Sequence, residues 1–456
     1  METSKRGSFT GKLGFVLAAA GSAVGLGNIW RFPYLAAEYG GGIFLLVYIV
    51  LAVTLGFTLM TAEIAIGRKT GLSAIGAYGA LNAKFSFLGK LTAVIPAIIL
   101  PYYSVIGGWV LKYLFLYLSG GGASAAQDGY FRSYIGQPVQ PILWFLLFIG
   151  ITFVVVLLGV EKGVEKYSKI MMPFLVVLSI VIAVYVVCLP GAMDGVIYYL
   201  KPDFSKFTPM TVLAAMGQLF YSMSLAMGIM VTYGSYMKKD VNLDHAVRQI
   251  EIFDTGIALL AGLMIVPAVY TFSGGNESAM QEGSGLMFIT LPKVFSQMPF
   301  GSLLGLVFFL LVLFAALTSS ISLMETVVSI LRDKTGLSRN KAAKLTLGIS
   351  VLLGLPSSLG FGPLSGIAPL GLSILDFFDF ISDFISNAVL MPIVALLTCI
   401  FVVWFVGTKS IVEEVKLSSQ FKREKMFCVM IKYFAPICIV LILISSILDS
   451  LEIVII

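Results

Sequence analysis

GSAVGLGNIWRFPY, residues 21–34, lies in a run that is apolar from Leu13 to Leu35, yet it holds three glycines in seven residues, then Asn28, Arg31 and Pro33. Glycine and proline are the poorest helix formers. A helix broken in lipid frees backbone N–H and C=O groups, each costing several kcal/mol unless something binds them. Two readings are open. The glycines serve tight helix packing, or the break is itself a binding site, which the neighbouring asparagine and arginine favour. In the second case half-helix N-termini offer N–H groups to a carboxylate, and unwound carbonyls coordinate a cation.

The rest of the chain places this stretch in a bilayer. Of 456 residues, 58% are hydrophobic and 12% charged, and the mean hydropathy is +0.98. Soluble domains carry about 25% charged residues. Stretches near the ~20 apolar residues needed to cross hydrocarbon recur from end to end. The chain therefore reads as an all-α polytopic membrane protein, with residues 1–456 forming one transmembrane domain. Eleven spans are expected near 13–35, 43–67, 88–118, 140–159, 164–189, 210–236, 248–273, 300–331, 341–358, 373–405 and 428–449, numbered 1 to 11 below. The start, METSKRGSFTGK, lacks the apolar core and cleavage site of a signal peptide, so span 1 is expected to be retained.

With the N-terminus inside, 24 of the 30 Lys and Arg fall on the cytoplasmic side, as the positive-inside bias requires. The net charge of +6 is thereby a matter of topology, and no nucleic-acid partner is expected. An odd number of spans puts the C-terminus outside, in a plasma membrane that is expected to be a bacterial inner membrane. Cys188, Cys399, Cys428 and Cys438 show no CxxC spacing, which indicates neither zinc nor a disulfide framework. His245 is the single histidine, and no activated nucleophile stands beside a base, so an enzyme is not expected. An ion channel would show a filter repeat or a polar stripe, and neither is seen.

A second interruption falls in span 6, MGQLFYSMSLAMGIMVTYGSY, residues 216–236. Spans 1 and 6 are five apart and run in opposite directions. Broken helices in corresponding halves point to a transporter with inverted repeats, here 13–189 and 210–405, with 428–449 as an added helix. Hard cations take oxygen ligands, and Asn28, Ser222, Asp254, Thr318 and Ser319 supply side-chain oxygens in mid-membrane.

LGFVLAAAGSAVGLGNIWRFPYLAAEYGGGIF, MTAEIAIGR, YGSYMKKD and LTSSISLME together resemble the neurotransmitter:sodium symporter family across spans 1 to 11, in particular its bacterial eleven-span branch of tyrosine and hydrophobic amino-acid transporters. The resemblance implies a leucine-transporter-like fold of 11 transmembrane helices, a 5+5 inverted repeat with helices 1 and 6 broken. It implies one sodium site at the Ala23 carbonyl, Asn28, Ser222, Asp254 and the substrate carboxylate. A second would use the Gly21, Val24 and Ala315 carbonyls with Thr318 and Ser319. The substrate carboxylate would meet Tyr103 and the amides of Leu26 and Gly27. An outer gate would pair Arg31 with Asp379, and an inner gate Arg6 with Asp333. Phe9 stands where relatives often have tryptophan.

Other readings of the same residues remain open. Tyr103 also fits an interfacial tyrosine, and Thr318 and Ser319 fit serine-type bonding to a preceding carbonyl. Asp254 follows an alignment with one gap, but an intramembrane acid is a functional candidate by default. Glu63 is expected to support the broken sixth helix. Glu325 reads as core support or as a proton carrier. Gly163 and Pro173 enclose nine residues at the start of span 5; they read as a hinge opening the second sodium site, or as an ordinary helix end.

Members that carry monoamines place an aspartate where this chain has Gly25, so an amino acid bringing its own carboxylate fits better. Ala23, Gly25, Leu26, Gly27, Ile99, Tyr103, Tyr221, Ser222, Ser224, Met227, Ser319 and Leu323 are expected to line its pocket. That pocket suits tyrosine or other hydrophobic L-amino acids. The expectation is sodium-coupled symport without chloride, with a proton-coupled symporter as the alternative.

Overall fold

The computed structural model describes residues 7–274, 285–367, 369–372, 374, 377 and 389–450. Among them, nine helices are long and apolar enough to cross a membrane. A tenth span forms when Lys12–Ala23 and Gly27–Glu38, bent 56° to each other, are taken as one. The expected eleven is not reached by this measure, for a local reason. The halves of span 6, Pro209–Ser222 and Ile229–Gly234, are 14 and 6 residues long, each short of the ~20 residues a crossing needs.

Spans 2 to 5, 7 to 9 and 11 lie close to their expected places. Span 10 is shifted. It was expected at 373–405, but its described helix runs Met391–Lys416, and residues 375–376 and 378–388 lie outside the described set. The extension has a cause that hydropathy does not register. Thr408–Lys416 is amphipathic and buries Ile411, Val412, Glu414 and Val415. Glu414 pairs with the fully buried Arg68 at the cytoplasmic end of span 2, 2.9 Å away.

The packing sets span 1 at the centre. Its first half, Lys12–Ala23, lies against spans 5, 7 and 8, while span 3 packs along spans 4 and 8. The outer helices turn apolar side chains outward. Leu143 and Val154 on span 4, Phe174 and Val184 on span 5, Leu352 on span 9 and Ile437 on span 11 are each more than half exposed. An apolar face of this extent belongs in hydrocarbon, not water. Short helices between spans, such as Ala74–Leu81 and Leu291–Gln297, had no length or periodicity to announce them.

Candidate functional site

Both breaks are visible in the backbone. Span 1 stops at Ala23, Val24 turns extended at ψ 104°, and the chain resumes helically at Gly27. Asn28 stabilises the restart: its Oδ1 accepts from the Gly25 amide at 3.0 Å, filling one of the orphan positions of a helix N-terminus. Span 6 unwinds over 223–228, where Ser224, Ala226 and Gly228 all take positive φ, at 52°, 62° and 73°. Gly228 has no alternative, since a Cβ there would sit 2.8 Å from both Ala74 Cβ and Thr92 Cγ2. Ser224 and Ala226 are strained positions, which persist only where the surroundings impose them. Part of the imposition is Glu63, whose Oε1 accepts from the Ala226 amide at 2.7 Å.

The two breaks meet at a buried polar cluster. Asn28 Nδ2 donates to Ser222 Oγ at 2.9 Å and to Asp254 Oδ1 at 2.8 Å, and Ser222 Oγ donates to the same Oδ1 at 2.8 Å. Tyr48 donates to Asp254 Oδ2 at 3.3 Å. All four residues are almost wholly buried. Spans 1, 2, 6 and 7 thus converge on one carboxylate. Tyr48 was missed by the sequence reading, because a tyrosine inside an apolar span carries no signal of what its hydroxyl faces.

The second set lies one step along span 8. Thr318 Oγ1 donates to the carbonyls of Phe314 and Ala315, at 2.9 and 3.1 Å. A Cβ on Gly21 would approach Thr318 Cβ to 3.1 Å, so the two helices are in close contact there. Ser319 does not bond back along its own helix. Its Oγ donates across to the Ser22 and Val24 carbonyls, each at 3.2 Å. The five residues expected at a second cation site are therefore neighbours, and their exposed chemistry is carbonyl and hydroxyl oxygen, the donor set a hard cation takes.

Between the sets lies a small pocket with a cavity volume of about 30 Å³, lined by all twelve residues expected at the substrate. Ser22, Asn28, Ile229 and Ser322 line it as well. A Cβ on Gly25 would fall 2.7 Å from Ser319 Oγ and 3.4 Å from the Tyr103 hydroxyl, so any side chain there would fill the cradle. The Tyr103 hydroxyl is buried and faces the Leu26 amide and the Ser319 hydroxyl, with no hydrogen bond of good geometry among the described residues. Such a donor, aimed into a cavity, fits a polar ligand group better than a membrane interface.

Of the gate residues, Arg31 lies with its guanidinium 5.7 Å from the centre of the Tyr221 ring, at the edge of the pocket. Its expected partner Asp379 lies outside the described residues, as does Arg6. Asp333 accepts from the Ser73 amide and hydroxyl at 2.7 and 2.6 Å. Phe9 is buried edge-on against Phe15, Tyr233 and Tyr236. Glu325 is an ion-pair partner of Arg339 and accepts from Tyr236 at 2.8 Å, which is a supporting arrangement. The start of span 5 is wound as a π-helix over Val160–Glu165, ahead of the α-helix Lys166–Val187 that contains Pro173. Gly163 has a packing reason of its own: a Cβ there would meet the Val155 carbonyl at 2.0 Å.

Residues 6–121 and 133–453 match the profile of the sodium:neurotransmitter symporter family. An uncharacterized sodium-dependent transporter of Bacillus subtilis (strain 168), YhdH, is 37% identical over 98% of this chain and 99% of its own. One from Methanocaldococcus jannaschii is 36% identical over 92% of this chain and 86% of its own. The crystal structure of MhsT in complex with L-phenylalanine superposes with a TM-score of 0.86 at 38% identity, covering 97% of this chain and 100% of that one.

Proposed function

The chain belongs to the sodium:neurotransmitter symporter family, and on that premise we propose that it is a sodium-coupled symporter of hydrophobic or aromatic L-amino acids, tyrosine among them. It is a multi-pass membrane transporter with the fold of MhsT. The observation that carries the proposal is the convergence of both helix breaks on one pocket, with Asn28 and Ser222 at its wall bonded to each other and to Asp254. In this reading the substrate carboxylate meets the freed amides of Leu26 and Gly27 and the Tyr103 hydroxyl. One sodium ion sits among the Ala23 carbonyl, Asn28, Ser222 and Asp254, and shares the substrate carboxylate. The second bridges the broken helix 1 to span 8 through Gly21, Val24, Ala315, Thr318 and Ser319.

Coupling then follows from differential affinity, since each ligand favours the closed arrangement only by contacts it makes there. The carboxylate of Asp254 supplies a negative charge beside the first sodium, so chloride is not required. Arg31 with Asp379 closes the outside, Arg6 with Asp333 closes the inside, and the N-terminus is cytoplasmic with the C-terminus outside. The binding of L-phenylalanine by MhsT supports an amino-acid cargo. A proton-coupled cycle has less support, because Asp254 already takes hydrogen bonds from three neighbours. The test is uptake of labelled tyrosine, phenylalanine and leucine into proteoliposomes with and without a sodium gradient. Accumulation driven by a proton gradient alone would replace this reading with the proton-coupled one.

A further inference from the structure

Between spans 5 and 6 the chain makes a detour that the transport site does not use. Ala192–Leu200 is a helix of nine residues, too short to cross hydrocarbon, and it packs along span 7. Two close contacts hold it there. A Cβ on Gly195 would fall 2.7 Å from Pro267 Cα, and the Tyr199 hydroxyl donates to the Leu259 carbonyl at 3.0 Å. The helix buries Ala192, Val196 and Tyr199 and leaves Met193, Ile197 and Leu200 about half exposed. Spacings of four and three residues put these three on one outward stripe. Phe204 and Phe207, just beyond the helix, are 71% and 49% exposed.

The stripe ends at a second pocket. Residues 198–202 cross the chain between spans 1 and 2, where Gly41 and Pro202 form an antiparallel bridge, and a Cβ on Gly41 would meet the Tyr198 carbonyl at 2.1 Å. Beside this crossing is a cavity of about 310 Å³, walled by Gly40, Ile197, Tyr198, Lys201, Asp203 and Lys206. That is the low end of the ~300–1,000 Å³ range of ligand sites. Lys206 is positioned by its surroundings. Its Cβ packs against Gly40, and its ammonium stands 5.2 Å from the centre of the Tyr198 ring. Tyr198 is itself tied to the Ala37 carbonyl at 2.5 Å. Asp203 is the acid of the lining, and its Oδ1 accepts from the Ser205 amide and hydroxyl at 3.0 and 2.6 Å.

Charge and position together say what this cavity takes. Outside the 24 Lys and Arg of the cytoplasmic ends the chain has six more, Arg31, Lys112, Arg132, Lys201, Lys206 and Lys293, and two of the six share this pocket. Two lysines against Asp203 leave its lining one net positive charge. Asp194, the other acid of the segment, stands in the first turn of the helix, two turns from Lys201. A soluble anion would account for the lysines but not for the apolar stripe that leads to them. Nor would it account for Leu46 and Val50, exposed on the lipid face of span 2 directly after Gly42. We propose that the pocket binds the headgroup of an anionic phospholipid in the outer leaflet, its phosphate between Lys201 and Lys206 and its acyl chains against Ile197, Leu200 and the start of span 2. Lysines on such a surface reach for the headgroup level while their stems lie along apolar neighbours. The leaflet follows from the orientation proposed above, with the N-terminus cytoplasmic. One net charge sets the size of the preference over a zwitterionic lipid, roughly fivefold.

The experiment reads lipid occupancy beside the pocket in the full-length protein. Phe204→Trp places a fluorescent ring at an exposed aromatic position next to the lysines, and the unsubstituted protein, with its four tryptophans, supplies the background. The protein is reconstituted in mixtures of phosphatidylcholine and phosphatidylglycerol, with one lipid or the other carrying brominated acyl chains that quench tryptophan. Phosphatidylglycerol is expected to be favoured roughly fivefold at the reporter, and less so at high salt, which screens exposed charge. Adding Lys201→Gln and Lys206→Gln is expected to bring the ratio to about one, while Lys201→Arg with Lys206→Arg keeps it. Because the reading is a ratio of two lipids at one reporter, a lower yield of folded variant cancels. Equal quenching by the two lipids in the reporter protein overturns the proposal. So does an equal loss of preference in Lys293→Gln, which would make the effect one of general surface charge. Loss of the preference on adding soluble glycerol 1-phosphate also overturns it, and assigns the pocket to a water-soluble phosphate compound instead.

Discussion

Ser319 illustrates how one side chain separates a functional from a routine reading. A serine in a membrane helix commonly bonds to a carbonyl one turn back on its own helix. Thr318 does so, but Ser319 reaches across to Ser22 and Val24, the carbonyls released where span 1 breaks. Its hydroxyl therefore competes for, or shares, the oxygens a cation would take there. Replacing Thr318 and Ser319 together by alanine removes two of about five expected ligands, and sodium dependence of tyrosine or leucine binding should shift to much higher sodium or vanish. Measured sodium titrations that superpose on the wild type would reject the second site. At this scale the sequence was informative wherever an oxygen or a glycine stood in an apolar run, because burial makes such residues expensive. It was silent on Tyr48, Ser22 and Ser322, whose partners are set by which faces of spans 2, 1 and 8 meet, a matter of packing across hundreds of residues.

Among the elements, the two that bend were legible and the ones that grip were not. A glycine cluster announced the break in span 1, and hydroxyls with Gly228 announced the one in span 6. Nothing in TKSIVEEVK announced that this helix would clamp span 2. Arg68 donates from Nε to Glu414 and from Nη1 to the Val241 carbonyl at 2.9 Å each, and Lys239 adds a second cation on Glu414 at 2.7 Å. Removing one partner of a buried pair typically costs about 3–5 kcal/mol. Arg68→Ala should lower the apparent melting temperature in detergent and reduce the yield of folded protein. A melting curve equal to wild type would show the pair to be dispensable. Span 5 offers the opposite case. Pro173 leaves the carbonyl a turn back without its usual donor, next to a first turn already wound as π-helix. Pro173→Ala restores that donor and should slow turnover while equilibrium substrate binding stays near wild type. Unchanged turnover would reduce the Gly163–Pro173 spacing to packing alone, for which the contact of Gly163 with Val155 is sufficient.

For the whole molecule the decisive quantity is charge carried per cycle. The proposed amino-acid substrate is a zwitterion and would contribute none, so net movement would be set by the cations and by whatever neutralises them. Two unit charges about 4 Å apart interact by roughly 4 kcal/mol at an effective dielectric near 20, so a missing counter-charge beside the first sodium cannot be tolerated cheaply. Asp254 is fully buried and tied to Asn28 and Ser222, and in the proposed cycle it would supply that charge as part of the protein, without a co-transported anion. Uptake should therefore be electrogenic and independent of chloride: an inside-negative potential imposed on sodium-loaded proteoliposome medium should accelerate it, and gluconate should replace chloride without loss. Asp254→Asn keeps the shape and removes the charge. That variant should lose uptake, or recover it only when chloride is present to take the place of the carboxylate. Wild-type uptake that collapses in gluconate would mean that the counter-charge comes from solution and that Asp254 serves the hydrogen-bonded wall of the pocket rather than the ion.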